Sequence, residues 1–291
     1  MEREFTDPVG RQGDSYAGSV IPDVSPAGPN ATADDFDGTF PADLQVGVLS
    51  DLNSIQVHIK PGVPLLPFGG ENSHAAEQYR IIRTKILQHS ARPRSLVITS
   101  AESGDGKSVS AVNLAGVLAL NSEFNVLLVD GDLHRSSLAR YFGVDSSPGL
   151  AEVITGKATL SESVRRVEPF PNLFFLSGGK SQTGPADLFN TRRWKEIAGA
   201  LKEQFTFCVI DAPPAGVFAD FDLIQEQVEG VVLVVREDHT NRMLWMRALQ
   251  NIPTQKMIGV IMNCVQPWFL GKSFGYYQYY YYSKYYAGRD D

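Results

Sequence analysis

The stretch that decides the fold is Ser95-Leu-Val-Ile-Thr-Ser-Ala101-Glu-Ser-Gly-Asp-Gly-Lys-Ser108-Val-Ser-Ala-Val-Asn-Leu114. Its opening, residues 95–99, is apolar at nearly every position, as a strand reads when helices cover both faces of its sheet. Residues 107–120 read as a helix. Between them, Ala101–Ser108 fits the spacing of a phosphate-binding loop, with Ala101 in place of the usual first glycine. Gly104 and Gly106 let the backbone curl so that successive N–H groups face an anion. The helix that follows turns its positive dipole end to the same point. Lys107 brings a mobile positive charge to the β- and γ-phosphates of a nucleotide, and Ser108 offers a hydroxyl to Mg²⁺.

Working outward, five more short apolar runs alternate with helical patterns: Val126–Val129, Leu173–Leu176, Phe207–Ile210, Val231–Val235 and Ile258–Met262. Helices are expected over 107–120, 191–203, 218–228 and 240–250, and one more from an N-cap at Ser73, with Tyr79, Ile82, Ile86 and Leu87 on one side. The pattern predicts an α/β domain with a doubly wound, mainly parallel sheet over residues 73–266. Asp130 and Asp132 fall at the end of one strand, where ligands bind in such sheets. Asp211 ends another strand and is followed by Ala212-Pro213-Pro214. Prolines there stop the strand, and an acid so placed can hold Mg²⁺ directly or through water.

The flanks read differently. Residues 1–70 hold 8 of the 17 prolines, 9 of the 26 glycines, ten acidic and three basic side chains, so the chain's net charge of −7 resides there and the remainder is neutral. Such a segment buries too little apolar surface to offset its ordering entropy, so residues 1–72 are expected to be mostly disordered. A short edge strand around Ile55, Val57 and Ile59 is the exception. Residues 267–291 form a tail holding eight of the eleven tyrosines, Tyr276, Tyr277, Tyr279, Tyr280, Tyr281, Tyr282, Tyr285 and Tyr286. No basic excess argues for a nucleic-acid partner. Cys208 and Cys264 lie in apolar runs and read as buried thiols of a reduced compartment. His58, His74, His89, His134 and His239 show no metal-ligand spacing, so no zinc is expected. No apolar stretch approaches the roughly 18–20 residues that cross a bilayer, and no apolar core follows the first residues as in a signal peptide. The expectation is a cytoplasmic protein, or one held at a membrane by something else.

Together these residues resemble the bacterial tyrosine kinases (BY-kinases) of polysaccharide export systems. Ala101–Ser108 resembles the Walker A motif of that family, Val126-Leu-Leu-Val-Asp-Gly-Asp132 its Walker A′ motif, and Cys208-Val-Ile-Asp-Ala-Pro-Pro214 its Walker B motif. Glu77, Arg80 and Arg83 match its Glu-x-x-Arg-x-x-Arg oligomerisation signature, and the tyrosine tail resembles its autophosphorylation cluster. Such kinases usually carry Pro where this chain has Ser103, and Arg where it has His134, with Arg135 following here.

The resemblance implies an ATP- and Mg²⁺-dependent tyrosine autokinase that phosphorylates its own tail between subunits and regulates exopolysaccharide or capsule synthesis and export. It implies catalytic roles for Lys107, Asp130 and Asp132, with Asp130 accepting the phenol proton. ATP would lie on Ala101, Glu102, Ser103, Gly104, Asp105, Gly106, Lys107 and Ser108, with Asn263 at the adenine. Ser108, Asp132 and Asp211 would hold the metal. The implied partners are further copies of the chain in a ring, an octamer in that family, a membrane-spanning polysaccharide co-polymerase that activates the kinase and recruits it to the inner face of the plasma membrane, and a cognate phosphotyrosine phosphatase. Two alternatives share the fold or the tail. One is an ATPase switch of the partition or positioning type, which carries a signature lysine where this chain has Glu102. The other is a non-catalytic adaptor.

Overall fold

The computed structural model describes residues 40–59, 65 and 74–265. The tyrosine tail, Ser73 and the first 39 residues lie outside them. The first half of the described chain runs β1 (Ser54–Gln56), α1 (His74–Leu87), β2 (Ser95–Ser100), α2 (Lys107–Ala119), β3 (Val126–Asp130), α3 (Leu138–Phe142), α4 (Leu150–Ile154), α5 (Leu160–Ser163) and β4 (Val164–Glu168). There follow β5 (Phe170–Leu176), α6 (Pro185–Phe189), α7 (Arg192–Gln204), β6 (Phe207–Asp211), α8 (Ala219–Glu226), β7 (Gly230–Arg236), α9 (Arg242–Asn251) and β8 (Met257–Asn263).

The eight strands form one sheet in the order β1-β4-β5-β3-β6-β2-β7-β8. Neighbours from β5 to β8 pair in parallel, β4 is antiparallel to β5, and β1 runs with β4. Every residue of β2, β3 and β6 is buried, which is why these strands read as unbroken apolar runs. Successive side chains still alternate between two cores. Val97, Leu127 and Val129 pack on one face with Trp194 and Ile197 of α7 and Phe221 of α8. Leu96, Ile98 and Leu128 pack on the other with α2, Tyr79 and Ile86 of α1, and Phe142 of α3.

This arrangement positions the site. The β2-to-β3 crossover passes over β6 in one direction, and the β6-to-β7 crossover passes over β2 in the other. Their helices therefore lie on opposite faces, and the loops at the carboxyl ends of β2, β6 and β3 part to leave a crevice.

The structure differs from the sequence reading at five points. Part of 1–72 belongs to the fold: Phe40, Leu44, Val46 and Leu52 are buried in the core, Gln204 Nε2 donates to the Leu44 carbonyl at 3.0 Å, and Arg193 is paired with Asp43. These apolar residues are too widely spaced to give a periodic signal, and partners distant in sequence place them. β4 has no sequence signal, because Val-Arg-Arg-Val-Glu is no apolar run; its arginines are only half-buried. The helices α3 to α6 have four or five residues, too few to show a period. Cys264 is exposed rather than buried, because it follows the end of β8 in a left-handed conformation (φ +55°), whereas Cys208 is buried within β6. On α1, Tyr79 and Ile86 face the core as expected, but Leu87 is 39% exposed.

Candidate active site

The loop between β2 and α2 has the curl its glycines predict. Gly104 and Gly106 sit at φ +99° and +96°, a region that strains any side chain, and Gly106 precedes the first residue of α2. A Cβ on Gly106 would meet the Asn263 amide, which would have to move aside, so a side chain here is disfavoured first by conformation. Ala101 is buried at the end of β2, and the Ser110 N–H donates to the Gly106 carbonyl at 2.9 Å, beginning the helix ladder.

Lys107 is the centre of the charge cluster. Its Nζ lies 2.7 Å from Asp132 Oδ2, 3.2 Å from Asp211 Oδ1 and 3.3 Å from Ser108 Oγ. Burial opposes its charge, but Asp211 and then Asp132 prevail and raise the ammonium above its ordinary value. Asp130 and Asp211 are register partners on β3 and β6. Burial, reinforced by the Asp211 charge, raises the Asp130 carboxyl to about 7. Burial likewise raises Asp211, against the opposing pull of Lys107.

Two carboxylates, Asp132 and Asp211, thus share one ammonium in a low-dielectric pocket, and Asp211 Oδ2 is buried without a hydrogen-bond partner. This surplus of hard oxygen and negative charge fits Mg²⁺, which takes one or two carboxylates and completes its shell with phosphate oxygens and water. Among the described residues no group of three or more His, Cys, Asp or Glu side chains is placed to hold a metal ion.

A cleft of about 740 Å³ opens above this cluster, within the range of small-molecule sites. Ala101, Glu102, Ser103, Gly104, Gly106, Lys107, Ser108 and Asp132 line it, opposite His134, Arg135 and Phe218. The Glu102 carboxylate accepts from the Asn241 N–H at 3.4 Å, at the start of α9. Arg135 and His134 have separate attachments. Arg135 donates to Ser103 Oγ at 3.0 Å, across the mouth of the cleft. His134 stacks on Phe218, ring centres 4.1 Å apart, and its Nε2 lies 3.0 Å from buried Asp220.

Other expected site residues are placed differently. Asp130 is fully buried and does not line the cleft; its Oδ2 accepts from Ser136 Oγ and from the N–H groups of Ser137 and Leu138 at 2.8–3.1 Å, capping α3. Its Oδ1 is buried without a hydrogen-bond partner. Asn263 donates to the Asp105 carbonyl at 2.8 Å, and Asp105 turns its carboxylate into the protein, away from the cleft. Glu77 and Arg80 pair with each other at 2.9 Å along α1, while Arg83 donates to the Val117 carbonyl of α2 at 2.9 Å. The tyrosines of the expected phosphorylation cluster lie outside the described residues.

Sequence reasoning noted Asp220 only as a family agreement after the Pro213-Pro214 loop and missed other residues that hold the cluster in place, Ser136, Ser137, Thr240 and His239 among them. Only the cap had a sequence signal: Ser136 and Ser137 stand directly before α3, where cap residues belong. The others act across 86 or more positions of sequence.

Comparison with known proteins gives the relatives of the chain. The family described as the CobQ/CobB/MinD/ParA nucleotide binding domain matches residues 96–274. The chain is 33% identical over 212 residues to the tyrosine-protein kinase ptk of Acinetobacter johnsonii, covering 71% of this chain and 28% of that protein's length. It is 32% identical over 192 residues to the tyrosine-protein kinase YwqD of Bacillus subtilis, covering 65% of this chain and 80% of YwqD. The crystal structure of the chimerical protein CapA2B2 superimposes with a TM-score of 0.66 at 26% identity, over 74% of this chain and 96% of that one. By sequence and by fold, the chain belongs to the bacterial tyrosine kinases, within the CobQ/CobB/MinD/ParA nucleotide-binding family.

Proposed function

We propose that this chain is an ATP-dependent tyrosine autokinase whose substrate is the tyrosine cluster of a neighbouring copy, Tyr276 to Tyr286, and which regulates exopolysaccharide or capsule synthesis. The observation that carries the proposal is the convergence of Lys107, Asp132 and Asp211 at the head of the Ala101–Ser108 loop. The loop amides and Lys107 would grip the phosphates of ATP, with Asn263 beside the adenine. Ser108, Asp132 and Asp211 would hold Mg²⁺, which offsets charge on the transferred phosphoryl group.

A tyrosine hydroxyl, with a pKa of about 10, carries its proton at neutral pH and needs an acceptor. Asp130 is the proposed acceptor. Its free Oδ1 and its carboxyl raised to about 7 suit proton transfer near neutrality. Because Asp130 is enclosed, this role requires the segment 131–137 to shift when substrate binds. The phosphoryl–oxygen bond to ADP breaks, the bond to the tyrosine oxygen forms, and the phenol proton passes to the carboxylate.

Glu77, Arg80 and Arg83 would serve the ring-like homo-oligomer, which on family resemblance is an octamer. A membrane-spanning co-polymerase would activate the kinase at the inner face of the plasma membrane, and a phosphatase would reverse the modification. Among the described residues no helix is long and apolar enough to cross a membrane.

The test is to incubate the purified full chain with Mg·ATP, alone and with the cytoplasmic segment of a candidate activator, and to detect phosphotyrosine. Phosphotyrosine in the wild type, and its loss in Lys107→Met, is the expected result. Hydrolysis of ATP without phosphotyrosine would assign the ATPase switch, and nucleotide binding with neither would assign the adaptor.

A further inference from the structure

The phosphate loop is held from behind by the turn joining β7 to α9. Asp105 is wholly buried, and both carboxylate oxygens are engaged. Oδ2 accepts from the Glu102 N–H at 2.9 Å, and Oδ1 accepts from the Thr240 hydroxyl at 2.7 Å. The Thr240 oxygen in turn accepts from the Arg236 N–H at 2.7 Å. Three further contacts surround this chain of bonds. His239 Nε2 lies 3.3 Å from the Ser103 carbonyl, the Asn241 N–H donates to Glu102 Oε2, and Asn263 donates to the Asp105 carbonyl. The loop fits closely here: a Cβ on Gly104 would lie 3.1 Å from the His239 ring.

We infer that the Thr240–Asp105 hydrogen bond is a latch that sets the curl of residues 102–106, and that Thr240 and Asp105 are positioning residues for phosphate binding. Two glycines with positive φ give this loop little conformational restraint of its own. Its function depends on the direction of its N–H groups, and small errors of aim weaken a preorganised anion site strongly. A buried carboxylate that accepts from inside the loop and from a second loop removes that freedom, through charge-assisted bonds. The latch also turns an acidic side chain away from the phosphates, which it would otherwise repel. Neither Asp105 nor Thr240 lines the cleft, so their effect runs through the loop backbone.

This inference rests on the reading of Ala101–Ser108 as a phosphate cradle, and its test separates the two. Binding of Mg·ATP to the full chain is measured for Thr240→Val, Thr240→Ser, Asp105→Asn and Lys107→Met, alongside the melting midpoint of each nucleotide-free protein. Thr240→Val and Asp105→Asn are expected to weaken Mg·ATP by about tenfold or more, the scale of one hydrogen bond to a charged group. Thr240→Ser restores binding to within about twofold of wild type, and the nucleotide-free midpoint of Thr240→Val stays near that of wild type. Wild-type affinity in Thr240→Val overturns the latch. So does a loss in Thr240→Ser equal to that in Thr240→Val, which would assign the effect to packing. If Thr240→Val does not fold, Asp105→Asn decides: weakened binding supports the latch and wild-type binding overturns it. Unchanged affinity in Lys107→Met would instead overturn the phosphate-cradle reading itself, and the latch with it.

Discussion

The centre and the β8 edge of the sheet make opposite use of their residues. At the centre, β2, β3 and β6 are buried throughout, and Asp130, Asp132, Asp211 and Lys107 are packed at their carboxyl ends. At the edge, Val260 and Met262 of β8 are 43% and 49% exposed, and only Ala248 of α9 is buried, with Met243 79% exposed. Charges thus lie inside and apolar groups outside, against the usual preference of each. A charge is held inside only where partners compensate it, and that compensation makes the centre chemically special. An exposed apolar side chain at the edge makes no such demand on its neighbours.

The contrast can be broken first at the acids. Asp211→Asn should lower phosphotyrosine formation by about a hundred- to a thousandfold, the scale of one preorganised electrostatic group. A rate near wild type would show that the central acids do not act together.

A pH titration sharpens the same point. The Asp130 carboxyl is raised from 3.8 to about 7, so the fold favours its protonated form. That stability is fully present below pH about 4 and is lost as pH rises through about 7. The nucleotide-free protein should therefore weaken over this window by at most about 4 kcal/mol. Asp130→Asn should flatten the dependence in urea unfolding measured from pH 4 to 8. An unchanged slope would assign the pH dependence to other groups.

Packing offers a third comparison. Leu128→Ala, in the fully buried β3, should cost about 3 kcal/mol in urea unfolding. Val260→Ala, at the edge, should stay within about 0.5 kcal/mol. Similar costs at both positions would show that the edge is covered in solution.

The two thiols give the mildest test. Burial raises the Cys208 thiol to about 12, while Cys264 is exposed. A thiol reagent near neutral pH should label one cysteine per folded chain, Cys264, and reach Cys208 only on unfolding. Equal labelling would mean that the sheet centre opens readily.

The order and type of the major elements were legible because central parallel strands leave a strong mark: four or five apolar residues in a row, each followed by a helical stretch. The charged cluster was legible for a related reason. Lys107, Ser108, Asp132 and Asp211 each stand at a strand end or helix start, and the sheet brings those ends together. Enclosure was not legible. Asp130 and Asp132 are two positions apart in one motif, yet one is sealed behind α3 as its cap and the other lines the cleft. Cys208 and Cys264 each adjoin an apolar run, yet only one is inside.

By itself, the sequence determined the doubly wound layout, the phosphate-binding loop and the strand-end acids, because these depend on local periodicity and on residue types at short spacing. Tertiary structure alone decided which acid faces the cleft, that Phe40 and Leu44 join the core, and that Thr240 is bonded to Asp105 135 positions away. Burial and long-range hydrogen bonding depend on every element packed around a side chain. No window of sequence contains that information, because the partners meet only once the chain has folded.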